Sequence, residues 1–265
     1  MKRIIYSIYT DNIDPHKSTN DFKKAQFEKW KFHIEKNHKN YAFLCGADYY
    51  LHTTNTTSYD EIQFEKIILL EEYAKDYDEM LYLDFDVVSH TDINYFNYHD
   101  MTTLTAHGLD RTPTTHKFKY SLDNNNFHLM NMYSKTCAKN AMLLLEDKIG
   151  NNYCLNTGVV GCNKDIAFQL NFKNRLSQLH SLLDEAIIDN VYPKEISSVF
   201  FYNNEVYLSY IIERYNIPYT NIGMPWNFML DDYFEIPSAG AHLVHHVNKK
   251  FEISFNGTTF KSSND

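Results

Sequence analysis

Apolar and polar positions along this chain fall into blocks whose lengths switch between those of strands and those of helices. Arg3–Tyr9 is an almost unbroken apolar run, as expected of a strand covered on both faces, and the polar turn Thr10-Asp11-Asn12-Ile13-Asp14-Pro15 ends it. From about Asn20 to Asn37, Phe22, Ala25, Trp30 and Ile34 recur along one helical stripe. Tyr41–Leu44 reads as a second, short strand. Ser58-Tyr59-Asp60-Glu61 is a capping box that opens a helix running to about Lys75. Met80–Val88 is a third apolar strand. Residues 94–132 are rich in Asn, His and Thr and read as an irregular insert, of a length that compact domains keep for function or leave disordered. Beyond it the pattern predicts helices at roughly 134–147, 164–188 and 203–215, with strands near Asn156–Gly161 and Ala241–His245. Strands alternating with helices predict an α/β class. With no internal repeat and no linker, we expect a single domain over 1–250 and a C-terminal extension over 251–265.

Two details of this pattern carry chemistry. Met80-Leu81-Tyr82-Leu83-Asp84-Phe85-Asp86 is an apolar strand ending in two carboxylates two residues apart. Side chains at that spacing share a face. Asp84 and Asp86 are therefore expected to converge at the strand's C-terminal end, where open α/β sheets bind ligands. Two converging carboxylates repel unless a cation lies between them, and oxygen ligands suit Mn²⁺ or Mg²⁺; an acidic turn after a strand would show the same residues. The second detail is Lys66, which interrupts the apolar stripe Ile62, Leu69, Leu70, Tyr73. It either snorkels from the end of that stripe or points its charge at an anion in the cleft the Asp pair would form.

Composition removes alternatives. A net charge of −9 argues against a nucleic-acid partner. Cys45, Cys137, Cys154 and Cys162 show no C-x-x-C pair and no small disulfide framework, which fits free thiols in a reducing compartment. No apolar run approaches the ~18 residues of a membrane span, and the first apolar run is broken too early for a signal peptide. A cytoplasmic location is the expectation. With eight glycines and neither G-x-G-x-x-G nor a P-loop, any nucleotide would be held by side chains and a metal.

Five segments in order resemble one family. Phe64-Glu65-Lys66 through Asp84-Phe85-Asp86 is similar to the helix-then-DXD segment of GT-A glycosyltransferases, particularly the glycogenin-like family 8 group. Tyr9-Thr10-Asp11-Asn12 resembles that family's first-strand exit, which contacts the nucleotide base. Leu155-Asn156-Thr157-Gly158-Val159-Val160 resembles its Asn-x-Gly strand. Asn204-Glu205 with Met224-Pro225-Trp226-Asn227, and Leu243-Val244-His245 with Lys249-Lys250, resemble its later motifs.

The resemblance implies a GT-A, Rossmann-like fold with a mixed, mostly parallel central sheet flanked by helices. It implies a metal-dependent hexosyltransferase that moves sugar from a nucleotide-diphosphosugar, a UDP-sugar foremost, to a glycan or other acceptor the chain does not name. Asp84, Asp86 and His245 would hold Mn²⁺ or Mg²⁺, with His242 in reserve. Thr10, Asp11, Asp84, Asn156, Trp226, Lys249 and Lys250 would contact the donor. Lys66, Asn204 and Glu205 would serve the reaction. The family's acidic-Gln pair stands here as Asn204-Glu205, which puts a carboxylate where retaining members have Gln. That exchange leaves retention favoured only by resemblance. Leu83-Asp84-Phe85-Asp86-Val87 also fits the D-x-D-x-[TV] signature of haloacid-dehalogenase-like phosphatases, but those carry it on a first strand, and Asp231-Asp232 follows no apolar strand. An inactive carbohydrate- or nucleotide-binding scaffold is the non-enzymatic alternative.

Overall fold

The computed structural model describes residues 1–10, 21–54, 59–110, 127–187, 203–230, 237 and 240–256. Asp11, Ser58 and Asp231-Asp232 lie outside the described residues. A six-stranded sheet forms the centre, built in spatial order from β2 (Asp48–Thr53), β1 (Arg3–Tyr9), β3 (Glu79–Leu83), β6 (Tyr153–Asn163), β5 (Leu104–Asp110) and β7 (Tyr219–Asn221). β1 is parallel to β2 and β3, and β5 is parallel to β7. β6 alone in that sheet runs against both of its neighbours. A small second sheet joins β4 (Val87–Ser89), β9 (Leu243–His246) and β8 (Phe228–Leu230). The expected class, a mixed and mostly parallel sheet between helices, is what the chain adopts.

Helices cover both faces because β1 and β3 are apolar on both. Ile4, Tyr6, Met80 and Tyr82 point into a core lined by Phe64, Ile67 and Leu70 of α2 (Tyr59–Tyr73) and by Tyr207, Leu208 and Ile211. Ile5, Leu81 and Leu83 point the other way, onto Tyr41, Ala42 and Cys45 of α1 (Asp21–Cys45). Alternation along each strand thus builds two cores, one per face.

Several elements depart from the sequence reading. α1 continues through Tyr41–Leu44, which is its last turn and not a strand. Its buried stripe is Trp30, Ile34, His38, Tyr41 and Cys45, and Phe22 and Ala25 lie outside it, exposed. Gly46, at φ 64, stops the helix in a left-handed conformation that suits glycine. Residues 94–132 are not all irregular. They hold α3 (Tyr95–Tyr98), the interior strand β5, and the start of α4 (Phe127–Leu144). β5 tolerates polar residues because its neighbours satisfy them: Thr105 Oγ1 donates to Gly161 O at 2.8 Å and accepts from Tyr95 Oη at 3.1 Å. The expected 164–188 helix is two, α5 (Lys164–Leu170) and α6 (Phe172–Ile187), divided by the left-handed Asn171. α7 (Asn204–Tyr215) begins within a residue of expectation, capped by the Asn203 side chain on the Glu205 and Val206 N–H groups. Phe251 is buried against α1 with Trp30 and Ile34, and α8 (Glu252–Phe255) follows it. The cysteines are free. Among the described residues no helix is long and apolar enough to cross a membrane.

Candidate metal and donor site

The Asp pair does not sit on a strand. β3 ends at Leu83, and Asp84-Phe85-Asp86 forms a turn, closed by Val87 N–H on Asp84 O at 2.9 Å, that carries the chain from the large sheet into the small one. The carboxylates still converge, for a reason other than strand alternation. β9 pairs antiparallel with β4 so that His245 lies opposite Val87, and β8 pairs with the other edge of β9. His245 Nε2 is 3.4 Å from Asp86 Oδ1 and 3.7 Å from Asp84 Oδ2. One ligand atom from each of the three residues falls within 4.8 Å of the others.

The remaining carboxylate oxygens are occupied. Asp84 Oδ1 accepts from Lys66 Nζ at 3.1 Å and from Tyr82 Oη at 2.6 Å. Asp86 Oδ2 accepts from Lys249 Nζ. Each carboxylate thus keeps one oxygen for the shared point and spends the other on a lysine. Burial pushes the Asp86 carboxyl up, but the charges of Lys249 and His245 outweigh it and hold the group well below the usual carboxylate range. Lys66 is 2% exposed, so it does not snorkel; it aims inward, as the second of its two sequence readings has it. Lys249 holds its position from a left-handed backbone, φ 61.

A second group of side chains adjoins the first. His245 Nδ1 lies 3.2 Å from Asn227 Oδ1, and Asn227 Nδ2 donates to Asn156 Oδ1 at 2.7 Å. Asn156 Nδ2 donates to Glu205 Oε1 at 2.9 Å, and Glu205 Oε2 accepts from Lys135 Nζ at 2.5 Å. Gly158 makes room for this packing. A Cβ there would stand 2.5 Å from the His245 ring.

The structure therefore brings together Lys66, Asp84, Asp86, His245 and Lys249, and beside them Asn156 and Glu205. Asn204 is near but turned away, its amide donating to Thr157 Oγ1 at 2.6 Å in the core. Trp226 is not in the group. Its ring, 2% exposed, is enclosed by Tyr95, Tyr98, His99 and His242. His242 packs on that ring with Nδ1 3.2 Å from Thr91 Oγ1, so His245 and not its reserve joins the Asp pair. Thr10 lies at the C-terminal end of β1, partly buried. Lys250 engages through its backbone, N–H to Asn248 Oδ1 and carbonyl to His246. Sequence reasoning assigned nothing to Tyr82, Lys135 or Asn227. The alternation of β3 could have found Tyr82, two residues before Asp84, and the segment Met224–Asn227 ended on Asn227 without giving it a role; nothing local marks Lys135.

No family model and no curated protein matches the chain. Among solved structures it is similar to a glycosyltransferase involved in the glycosylation of the major capsid of PBCV-1, with TM-score 0.48 and 12% identity, over 96% of this chain and 100% of that one. It is also similar to mouse xyloside xylosyltransferase 1 in its apo form, with TM-score 0.46 and 11% identity, over 93% of this chain and 98% of the other. Both of those proteins are glycosyltransferases; the chemistry of this chain has to be argued from its own side chains.

Proposed function

We propose that this protein is a metal-dependent glycosyltransferase acting on a nucleotide-diphosphosugar donor. The observation that carries the reading is the convergence of Asp84 Oδ2, Asp86 Oδ1 and His245 Nε2, backed by Lys66 and Lys249, at the C-terminal end of a central strand. Two carboxylate oxygens and one imidazole nitrogen suit a divalent cation of the Mn²⁺ or Mg²⁺ kind. When bound, such a cation would neutralise charge on a diphosphate leaving group.

The chain's own residues fit the rest of the transfer. The bond from the anomeric carbon to the diphosphate oxygen breaks with its electron pair leaving on the nucleoside diphosphate. The acceptor oxygen bonds to that carbon and gives up its proton. Lys66 and Lys249 are positioned to offset the negative charge that accumulates on the leaving group. Asn156 suits donor hydroxyls. Glu205 has both oxygens engaged, by Asn156 and Lys135, which suits a fixed anion facing positive charge at the reacting carbon. Hexosyl transfer, UDP as the nucleotide, retention, and Thr10 and Asp11 at the base extend this reading through the resemblance, and a cytoplasmic setting extends it through the free thiols.

Thermal unfolding with UDP, GDP or ADP, with and without Mn²⁺, tests it. A nucleotide at ~100 times its dissociation constant stabilises by roughly 2.7 kcal/mol, and we expect that gain only with metal and not in Asp86→Ala. No response with any base would sink the reading. Phosphate trapped on Asp84 would support the phosphatase alternative instead.

A further inference from the structure

The outer face of α1 differs in character from the rest of the chain. The buried stripe of this helix, Trp30, Ile34, His38, Tyr41 and Cys45, follows the helical period. Half a turn around the axis, the same period puts Phe32, Lys36 and Phe43 at the centre of the opposite face, with Lys29 on one side of them and Lys39 on the other. Phe43 is 88% exposed, and Phe32, whose ring meets the edge of His33, is 71% exposed. The three lysines are exposed as well. Lys39 pairs with Glu35 at 2.6 Å, and Glu28 borders the face. The whole helix holds six lysines against Asp21, Glu28 and Glu35, a net +3 in a chain of net −9.

Rings so placed add nothing to the core, and water hydrates them poorly. They stand about 16 Å apart along the axis with lysines between and beside them, so they form no continuous apolar patch. A second copy of the chain fits this face badly, because a two-fold contact would set lysines against lysines. An anionic bilayer matches both kinds of side chain. Lysine heads meet the phosphate layer, while their stems and the two rings reach the acyl boundary. Screening over about 8 Å at physiological salt lets such a surface respond to the face it meets and not to the net charge of the chain.

We propose that the outer face of α1, centred on Phe32, Lys36 and Phe43, is a docking surface for membranes rich in anionic phospholipid. Docked so, the helix lies parallel to the bilayer. Its other side reaches the candidate site, since Phe27 packs against Phe85 of the Asp84–Asp86 turn and against Phe251. Docking therefore holds that cleft at a fixed distance from the lipid. The proposal does not rest on the catalytic reading.

Flotation of the full chain with vesicles of phosphatidylglycerol and phosphatidylcholine tests it, beside vesicles of phosphatidylcholine alone. We expect binding to the anionic vesicles that weakens as salt rises, and none to the neutral ones. Lys29→Gln, Lys36→Gln and Lys39→Gln together should lower the partition coefficient about 100-fold. Phe32→Ala with Phe43→Ala should lower it about tenfold with circular dichroism unchanged, because both rings are exposed. Phe168→Ala, which removes a 51% exposed ring on α5, should leave it as it is. Phe43→Trp should emit further to the blue on anionic vesicles, which adsorption by charge alone does not produce. No binding to anionic vesicles at low salt, or binding indifferent to Phe32 and Phe43, overturns the proposal. A dimer in sedimentation that the two alanines dissolve would overturn it in favour of a second copy. So would a single-stranded oligonucleotide bound with the same dependence on the two rings, in favour of nucleic acid.

Discussion

Two buried lysines sit on helices that pack into the same core, α2 and α4, and are used differently. Lys139, on α4, is 0% exposed and meets Asn151 O at 2.8 Å, Asn151 Oδ1 at 3.0 Å, Tyr153 O at 2.7 Å and the Glu213 carboxylate. That is more acceptors than an ammonium has protons. Burial pulls the group below the ordinary lysine range, and Glu213 opposes the shift without cancelling it. Lys66 is 2% exposed, and its hydrogen bond among the described residues is to Asp84, a carboxylate that it shares with Tyr82 and that still offers an oxygen to the cleft. A saturated buried charge holds chain segments together. One whose partner stays half open is available to something that arrives later.

Mutations can break this contrast. Lys139→Met should cost the most stability, about 3–5 kcal/mol, because it leaves Glu213 and two backbone carbonyls without their cation; urea unfolding measures this, and the Mn²⁺-dependent nucleotide response should survive. Lys66→Met should reverse the pattern. Asp84 keeps the Tyr82 hydroxyl, so the loss in urea is expected at about 1–2 kcal/mol, while the nucleotide response in thermal unfolding should largely vanish. If the two variants behave alike, the distinction between holding and poised lysines is wrong.

A smaller effect should come from His38, on α1. Complete burial lowers its pKa to about 4, and the hydrogen bond that Nε2 donates to Val87 O at 2.5 Å opposes that shift without cancelling it; Nδ1 faces Ser7 and Tyr49. The unfolded chain takes up this proton near pH 6.5 and the folded one only near 4, so stability falls as pH drops through that window. Between pH 6.5 and 5.5 the loss is about 1 kcal/mol. It should be absent from the urea-derived stability of His38→Gln over the same range.

Much of the frame was legible in the residues. Arg3–Tyr9 and the helix from Asn204 stand where the apolar pattern puts them. The failures share a cause. Tyr41–Leu44 has the composition of a strand, yet Tyr41, Ala42 and Cys45 join the core of Ile5, Leu81 and Leu83, and that packing carries the helix on to Gly46. Thr105 and His107 look like loop residues until β6 and β7 close around them. In each case a tertiary contact overrides local preference.

By itself the sequence determined the alternation that makes an α/β sheet, the carboxylates at 84 and 86, and a lysine set into an apolar stripe, because these depend on spacing within one element. Tertiary structure decided the rest. It turned Asp84-Phe85-Asp86 off its strand, chose His245 over His242, put Lys249 on an aspartate 163 residues away, and set Asn227 behind the imidazole. Those contacts exist only once β9 pairs with β4 in one register, and a one-residue slip would turn His245 to the opposite face.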